Sequence, residues 1–217
     1  MPLVFEPSQN FRQIVNAQGV TTDPDMIKDI VEFPFPRTGT QVRQFIGLVG
    51  SYRDFIKDFN LVAEPLIRLT RKEGGVSGEE QRAAFNKLIA LISSAPILVH
   101  PDVNKKKRVQ TDASKVGAGA VLLQLQDDGV WHPISFASWL FNSAQRNYST
   151  TDRELLSIIL ALRKWRDFVI GQRLIVQNDH KPINGYVRAP DPHGRLARWD
   201  SELSAFNLSI EHIMGVK

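Results

Sequence analysis

Arg108-Val109-Gln110-Thr111-Asp112-Ala113-Ser114, with Gly117-Ala118-Gly119-Ala120-Val121-Leu122-Leu123-Gln124 behind it, is the stretch on which the fold turns. Residues 107–112 predict a strand closed by an acid, and residues 117–124 a second strand across a turn. Residues 131–138 predict a third, joined through a hairpin turn at Asp127-Asp128-Gly129. From about Thr150 to Phe168 the pattern becomes helical: Leu155, Ile158, Leu162, Trp165 and Val169 fall on one stripe, and Gly171 is placed to end it. A strand at 173–178, a helix from about Gly194 to Phe206 and a strand from Leu208 to Ile213 follow. Residues 105–217 therefore read as an α/β unit: a five-stranded sheet with flanking helices.

Three acids stand at distinctive places in that pattern. Asp112 closes the first strand, Glu154 lies just inside the start of the long helix, and Asp179 closes the strand Leu174–Asn178. Two strand ends and a helix can deliver carboxylates to one point. Such a cluster repels itself unless a cation fills it, and Mg²⁺ prefers hard oxygen ligands, the recipe for metal-assisted phosphodiester cleavage. Taken singly, each acid has an ordinary reading: Asp112 as a turn cap, Glu154 as a partner of the helix dipole, Asp179 as a loop acid before the Pro182 turn. Asp152 favours the dipole equally well and can complete a cap with Ser149. Two residues are about 200° around a helix, so Glu154, on the face of Ile158, Ala161 and Trp165, borders the sheet and Asp152 does not.

Four blocks carry a family resemblance: Thr111-Asp112-Ala113-Ser114 with Gly117, Gly119-Ala120-Val121-Leu122 and Gln124; His132-Pro133-Ile134-Ser135-Phe136-Ala137-Ser138; Asn147-Tyr148-Ser149-Thr150-Thr151; and Asp179-His180-Lys181-Pro182. In this order they resemble the ribonuclease H domain of gypsy-type LTR-retrotransposon reverse transcriptases. The resemblance implies a ribonuclease H fold with a mixed five-stranded sheet. It implies two Mg²⁺ ions (Mn²⁺ as a substitute) on Asp112, Glu154 and Asp179, with one activating water and the other stabilising the leaving 3′-oxygen. The implied substrate is the RNA strand of an RNA–DNA hybrid. Contacts to the ribose 2′-hydroxyl fall on Ser114, Thr150 and Thr151, where capping roles for Ser114 and Thr151 stay open.

The preceding residues read as mainly helical. Thr38-Gly39-Thr40 starts a helix, and helical spacing continues through Phe45–Leu48 and Ser51–Ile56. A further helix spans Asn60–Lys72 with Pro65 as a kink point. Gly74-Gly75 breaks the pattern, and Glu79–Ser94 carries the stripe Phe85, Leu88, Ile89 and Ile92 up to Pro96. This part resembles the thumb of the same enzymes. Residues 1–35, with turn signals at Gly19 and Pro24 and a short helix from Met26 to Phe33, resemble the end of the palm. The expected organisation is a palm remnant at 1–35, a helical thumb-like domain at 36–104, and a ribonuclease H-like domain at 105–217, cut before its last helix. The expected partners are an RNA–DNA hybrid or template-primer and the remaining palm and fingers, with oligomerisation left open.

Departures from the family pattern oppose full activity. No acid follows Glu211, which lies inside its strand, so the fourth ligand of the pattern is missing. No Tyr-x-Asp-Asp motif occurs; the one Asp-Asp is Asp127-Asp128, so no polymerase activity is expected. Phe11-Arg12-Gln13-Ile14 keeps only the phenylalanine of the primer grip. Asp54 stands where an arginine is usual, Val76 lies where an aromatic is expected, and Asn178 replaces a usual threonine. The rival expectation is a non-catalytic nucleic-acid-binding or structural remnant.

Composition narrows the setting. Among 217 residues, 42% are hydrophobic, enough for a core, and the absence of cysteine excludes disulfides and cysteine zinc sites. The net charge of +4 is uneven: residues 1–104 hold 11 Lys and Arg against 12 Asp and Glu, residues 105–217 hold 16 against 11. A basic surplus around an acidic pocket suits a nuclease, although ordinary surface charge gives the same count. The longest apolar stretch, Leu155–Leu162, is too short to span a bilayer, and the N-terminus has no signal-peptide pattern, so an intracellular setting, in a cytoplasmic particle or the nucleus, is expected.

Overall fold

The computed structural model describes residues 13–70, 78–180 and 194–213. The Phe11-Arg12 pair, Gly74-Gly75, Val76 and Lys181-Pro182 lie outside the described residues. The chain starts with a hairpin of β1 (Gln13–Asn16) and β2 (Gly19–Thr22). Asn16 Oδ1 accepts the N–H groups of Gln18 and Gly19 and so folds the turn. Gly19 has φ +147°, and a Cβ there would lie 2.2 Å from the Leu98 carbonyl oxygen, so only glycine fits. Val20 and Leu98 exchange both backbone hydrogen bonds, which ties the hairpin to the far end of the helical part.

Four helices follow: α1 (Pro24–Val31), α2 (Gly39–Gly50), α3 (Phe59–Leu69) and α4 (Glu79–Ser93). α1 starts two residues before the expected Met26, because Asp23 caps it with Pro24 in the first helical position; Thr38 caps α2 by accepting the Gln41 N–H, as its sequence signal requires. The helix expected over Ser51–Ile56 is a single 3₁₀ turn, Arg53–Phe55, which lets Tyr52, Phe55 and Ile56 all face inward. Pro65 sits within α3. Ile30, Val42, Phe45, Val49, Leu66, Phe85, Leu88 and Ile92 form one buried cluster.

The second cluster belongs to a five-stranded sheet ordered β5-β4-β3-β6-β7. Its strands are β3 (Lys107–Ala113), β4 (Gly117–Leu125), β5 (Trp131–Leu140), β6 (Arg173–Asn178) and β7 (Asn207–His212). The pairs β3/β4 and β4/β5 are antiparallel, and β3/β6 and β6/β7 parallel. Parallel pairs need crossovers, which a long helix and a shorter one provide. The one between β5 and β6 carries α5 (Ser143–Arg146), α6 (Thr150–Lys164) and α7 (Arg166–Val169); the other includes α8 (Arg195–Leu203). The helical run expected to Phe168 is interrupted once: Trp165, with its ring buried, leaves helical geometry (φ −111°, ψ 20°) between α6 and α7. The stripe Leu155, Ile158, Leu162, Trp165 and Val169 is wholly buried, each side chain contributing roughly 2 kcal/mol of apolar transfer.

The helical part is docked on the β4/β5 side of the sheet. Asn60 gives its backbone N–H to Ser138 Oγ (2.8 Å) and its side-chain amide to the Ser138 carbonyl (2.5 Å). Phe136 of β5 packs into the helical cluster. Asp54, which departs from the arginine of the family pattern, lies 3.5 Å from Lys164 at the end of α6 and so pairs within this junction.

Candidate metal centre

Alternation along β3 buries Lys107, Val109 and Thr111 on the α6 side and sends Arg108, Gln110 and Asp112 to the other face. β6 runs parallel to β3 with Val109 opposite Val176 and Gln110 opposite Gln177, so both strands reach their C-terminal ends at the same edge. Asp112, next to last in β3, and Asp179, just past β6, thereby become neighbours. Glu154, in the second turn of α6, reaches across from the helix layer. Ligand oxygens of Asp112, Glu154 and Asp179 all lie within 4.8 Å of one another. Asp112 and Asp179 are exposed, whereas Glu154 is buried.

That burial decides the electrostatics. The Glu154 carboxyl is pushed from 4.5 up to about 7, first by burial and further by the charges of Asp112 and Asp179. A hydrogen bond from Asn178 and one from the Ala113 backbone N–H oppose the rise. Three carboxylates and no sulfur or imidazole make a hard donor set, and the repulsion held in Glu154 is what a divalent cation would relieve, so the residues fit Mg²⁺ or Mn²⁺.

The residues expected to meet the ribose are spread out. Thr151 Oγ1 lies 2.9 Å from His180 Nε2, on the edge that carries Asp179. Thr150 is exposed and its hydroxyl accepts from Arg153. The Ser114 hydroxyl closes the β3–β4 turn, accepting the N–H groups of Val116 and Gly117. Asp152 is separated from the triad as the helix geometry requires. Its backbone N–H is capped by Ser149, and its carboxylate takes Arg195 of α8 at 2.6 Å. The Arg195 guanidinium also stacks 4.1 Å over Tyr148, so Asp152 anchors one helix on another. Glu211 accepts from Gln177 (3.0 Å) and stays out of the triad.

Two participants were not legible in the sequence. Asn178, read there only as a departure, is buried between β3, β6 and α6 and bonds Glu154 at 2.9 Å. Asp58, at the start of α3, lines a cleft of about 270 Å³ together with Asp112, Gly119, Asp179 and Ile213. It is the one non-glycine residue with positive φ (57°) among those described, and its side chain does not cap α3. Its Oδ1 lies 1.9 Å from where a Gly119 Cβ would be, over the residue paired with Asp112. Burial raises its pKa and Asp112 adds to the rise, against the pull of Lys57 and Lys87. No local pattern signals a contact 54 to 61 positions away in the chain.

Residues 78–176 match the RNase H-like domain found in reverse transcriptase, a range that includes Asp112 and Glu154. The chain is 37% identical over 204 residues to the retrovirus-related Pol polyprotein from transposon 297 of Drosophila melanogaster, covering 93% of this chain and 19% of the relative. It is 36% identical over 211 residues to the Pol polyprotein from transposon gypsy of the same fly (91% and 20%). It is 32% identical over 206 residues to the Tf2-3 polyprotein of Schizosaccharomyces pombe (93% and 16%). The chain is thus similar, over nearly its whole length, to part of the Pol polyproteins of gypsy-type and Tf2 retrotransposons. It spans about a fifth of the length of the curated relatives it matches. Among solved structures, the foamy viral protease-reverse transcriptase in complex with RNA/DNA hybrid superposes with a TM-score of 0.75 at 18% identity, covering 95% of this chain and 30% of that one. The same enzyme in complex with dsDNA gives 0.74 at 19% identity, covering 95% and 46%. The helical part and the sheet thus share a fold with that reverse transcriptase, and the sheet is ribonuclease H-like.

Proposed function

We propose that this chain hydrolyses the RNA strand of RNA–DNA hybrids at the Asp112–Glu154–Asp179 centre. In this reading residues 105–217 are a ribonuclease H-like domain, residues 36–104 a thumb-like domain, and residues 1–35 continue a palm. The observation that carries it is the convergence of the three carboxylates within 4.8 Å. When bound, a pair of divalent ions supplies an activated water and charge neutralisation at the leaving 3′-oxygen. The chain's own residues do the rest. Asp112 and Asp179 present open oxygens on the exposed rim, and Glu154 holds the dry side. Thr151 and His180 flank the centre where the ribose of the cut strand would lie, the place for reading a 2′-hydroxyl. The basic surplus of residues 105–217 attracts the polyanion to an acidic pocket.

The test is cleavage of an end-labelled RNA–DNA hybrid with Mg²⁺ or Mn²⁺, with Asp112→Asn alongside. Metal-dependent product lost in the variant supports the proposal. An intact hybrid at high protein and Mn²⁺ concentration, bound in a salt-dependent way and equally well by Asp112→Asn, would select the reading of a non-catalytic nucleic-acid-binding remnant.

A further inference from the structure

We infer that Asn178 is a positioning residue for the metal centre, one that fixes the Glu154 carboxyl by holding its Oε2. The inference rests on the triad being an ion site. Asn178 is 1% exposed. Its amide nitrogen donates to Glu154 Oε2 (2.9 Å), to Thr111 Oγ1 (3.1 Å) and to the Thr111 carbonyl (3.2 Å). Its amide oxygen accepts the His180 N–H at 2.8 Å. Chemistry fixes this orientation. A flipped amide would set oxygen against a carboxylate and a carbonyl, and NH₂ against an N–H.

Each partner of Asn178 belongs to the centre or adjoins it. Thr111 precedes Asp112, His180 follows Asp179, and Glu154 is a member. One side chain therefore ties the two strand-end acids, through their neighbours, directly to the helix acid. A threonine, usual here in the family this chain resembles, has one hydroxyl hydrogen and a shorter reach. It cannot donate to Glu154 and Thr111 together while accepting from His180. Oε2 of Glu154 is thus committed before any ion arrives. Pre-set ligands of this kind bind metal more tightly, and partners that orient a ligand typically contribute about 10- to 100-fold in affinity.

The test is calorimetric titration of the whole chain with Mn²⁺ alone and with Mg²⁺ alone, for wild type, Asn178→Ala and Asn178→Thr. Thermal melts with and without metal accompany it. Asn178→Thr suits a strand end and carries the test if Asn178→Ala does not fold. Both variants should bind metal about tenfold or more weakly, and the rise in melting temperature caused by metal should shrink. A merely structural role predicts otherwise: melting falls equally with and without metal while affinity is unchanged, and that result overturns the inference. Asp112→Asn separates the two levels. If it binds Mn²⁺ like wild type, the triad is not the ion site, and this inference falls with that reading. If it abolishes binding while the Asn178 variants bind normally, only the role of Asn178 is lost.

Discussion

Glu154→Gln tests the strained acid at the centre. In the metal-free fold Glu154 holds its proton up to about pH 7, against 4.5 for an ordinary glutamate. The unfolded chain releases that proton at the lower pH. Between those values the folded state binds more protons than the unfolded one, so stability falls as pH rises through the window and levels off above about 7. The gap corresponds to about 3 kcal/mol. Glutamine keeps the shape and an oxygen for the Asn178 N–H but cannot ionise, so the variant should lack this part of the pH dependence. Any constant difference in packing cancels when each protein is compared with itself. Urea unfolding in EDTA at about pH 5 and about pH 8 should show wild type losing roughly 2–3 kcal/mol more than Glu154→Gln. For a chain of this size that is roughly 5–10 °C in melting temperature. Saturating Mg²⁺ should remove the wild-type loss, since ions favour the charged carboxylates. Parallel pH profiles for the two proteins in EDTA would refute the claim that burial and two neighbouring charges hold Glu154 protonated.

Further outcomes follow from the same contacts. Asp58→Asn, which tolerates the left-handed backbone equally well, should stabilise the metal-free protein at neutral pH and lose that advantage in acid, where Asp58 is already protonated; thermal melts across pH read this. Gly117→Ala would put a Cβ 2.1 Å from the Trp139 backbone oxygen and should cost about 2 kcal/mol in urea unfolding. Gly119→Ala meets only the tip of Asp58 and should cost less, so equal losses would contradict the geometry. Asn60→Ala removes the side-chain bond to the Ser138 backbone carbonyl, and Ser138→Ala removes the hydroxyl that accepts the Asn60 backbone N–H; each should lower stability by about 1 kcal/mol in urea unfolding.

Local order was open to reading because it is written over a few residues. Thr38 and Ser149 cap helices where their short polar side chains announce it. The 3-and-4 spacing from Leu155 to Val169 lies in the core, and Asp128-Gly129 turns the β4–β5 hairpin. The angle between helical positions sets Glu154 apart from Asp152, and Glu154 lies beside Asp112 and Asp179 while Asp152 pairs with Arg195. The break at Trp165 is a different matter: the residue continues the buried apolar stripe, and no local pattern announces that its backbone leaves helical geometry between α6 and α7.

The order of strands and helices, the family blocks and the choice of three acids as candidates came from the chain alone, since each depends on neighbours within a few positions. Tertiary structure decided what those acids face: parallel pairing of β3 with β6 brings Asp112 to Asp179, burial of the Glu154 side chain lifts its carboxyl to about 7, and Asn178 and Asp58 arrive at the same edge. Desolvation and Coulomb repulsion act through space, so no reading along the chain contains them.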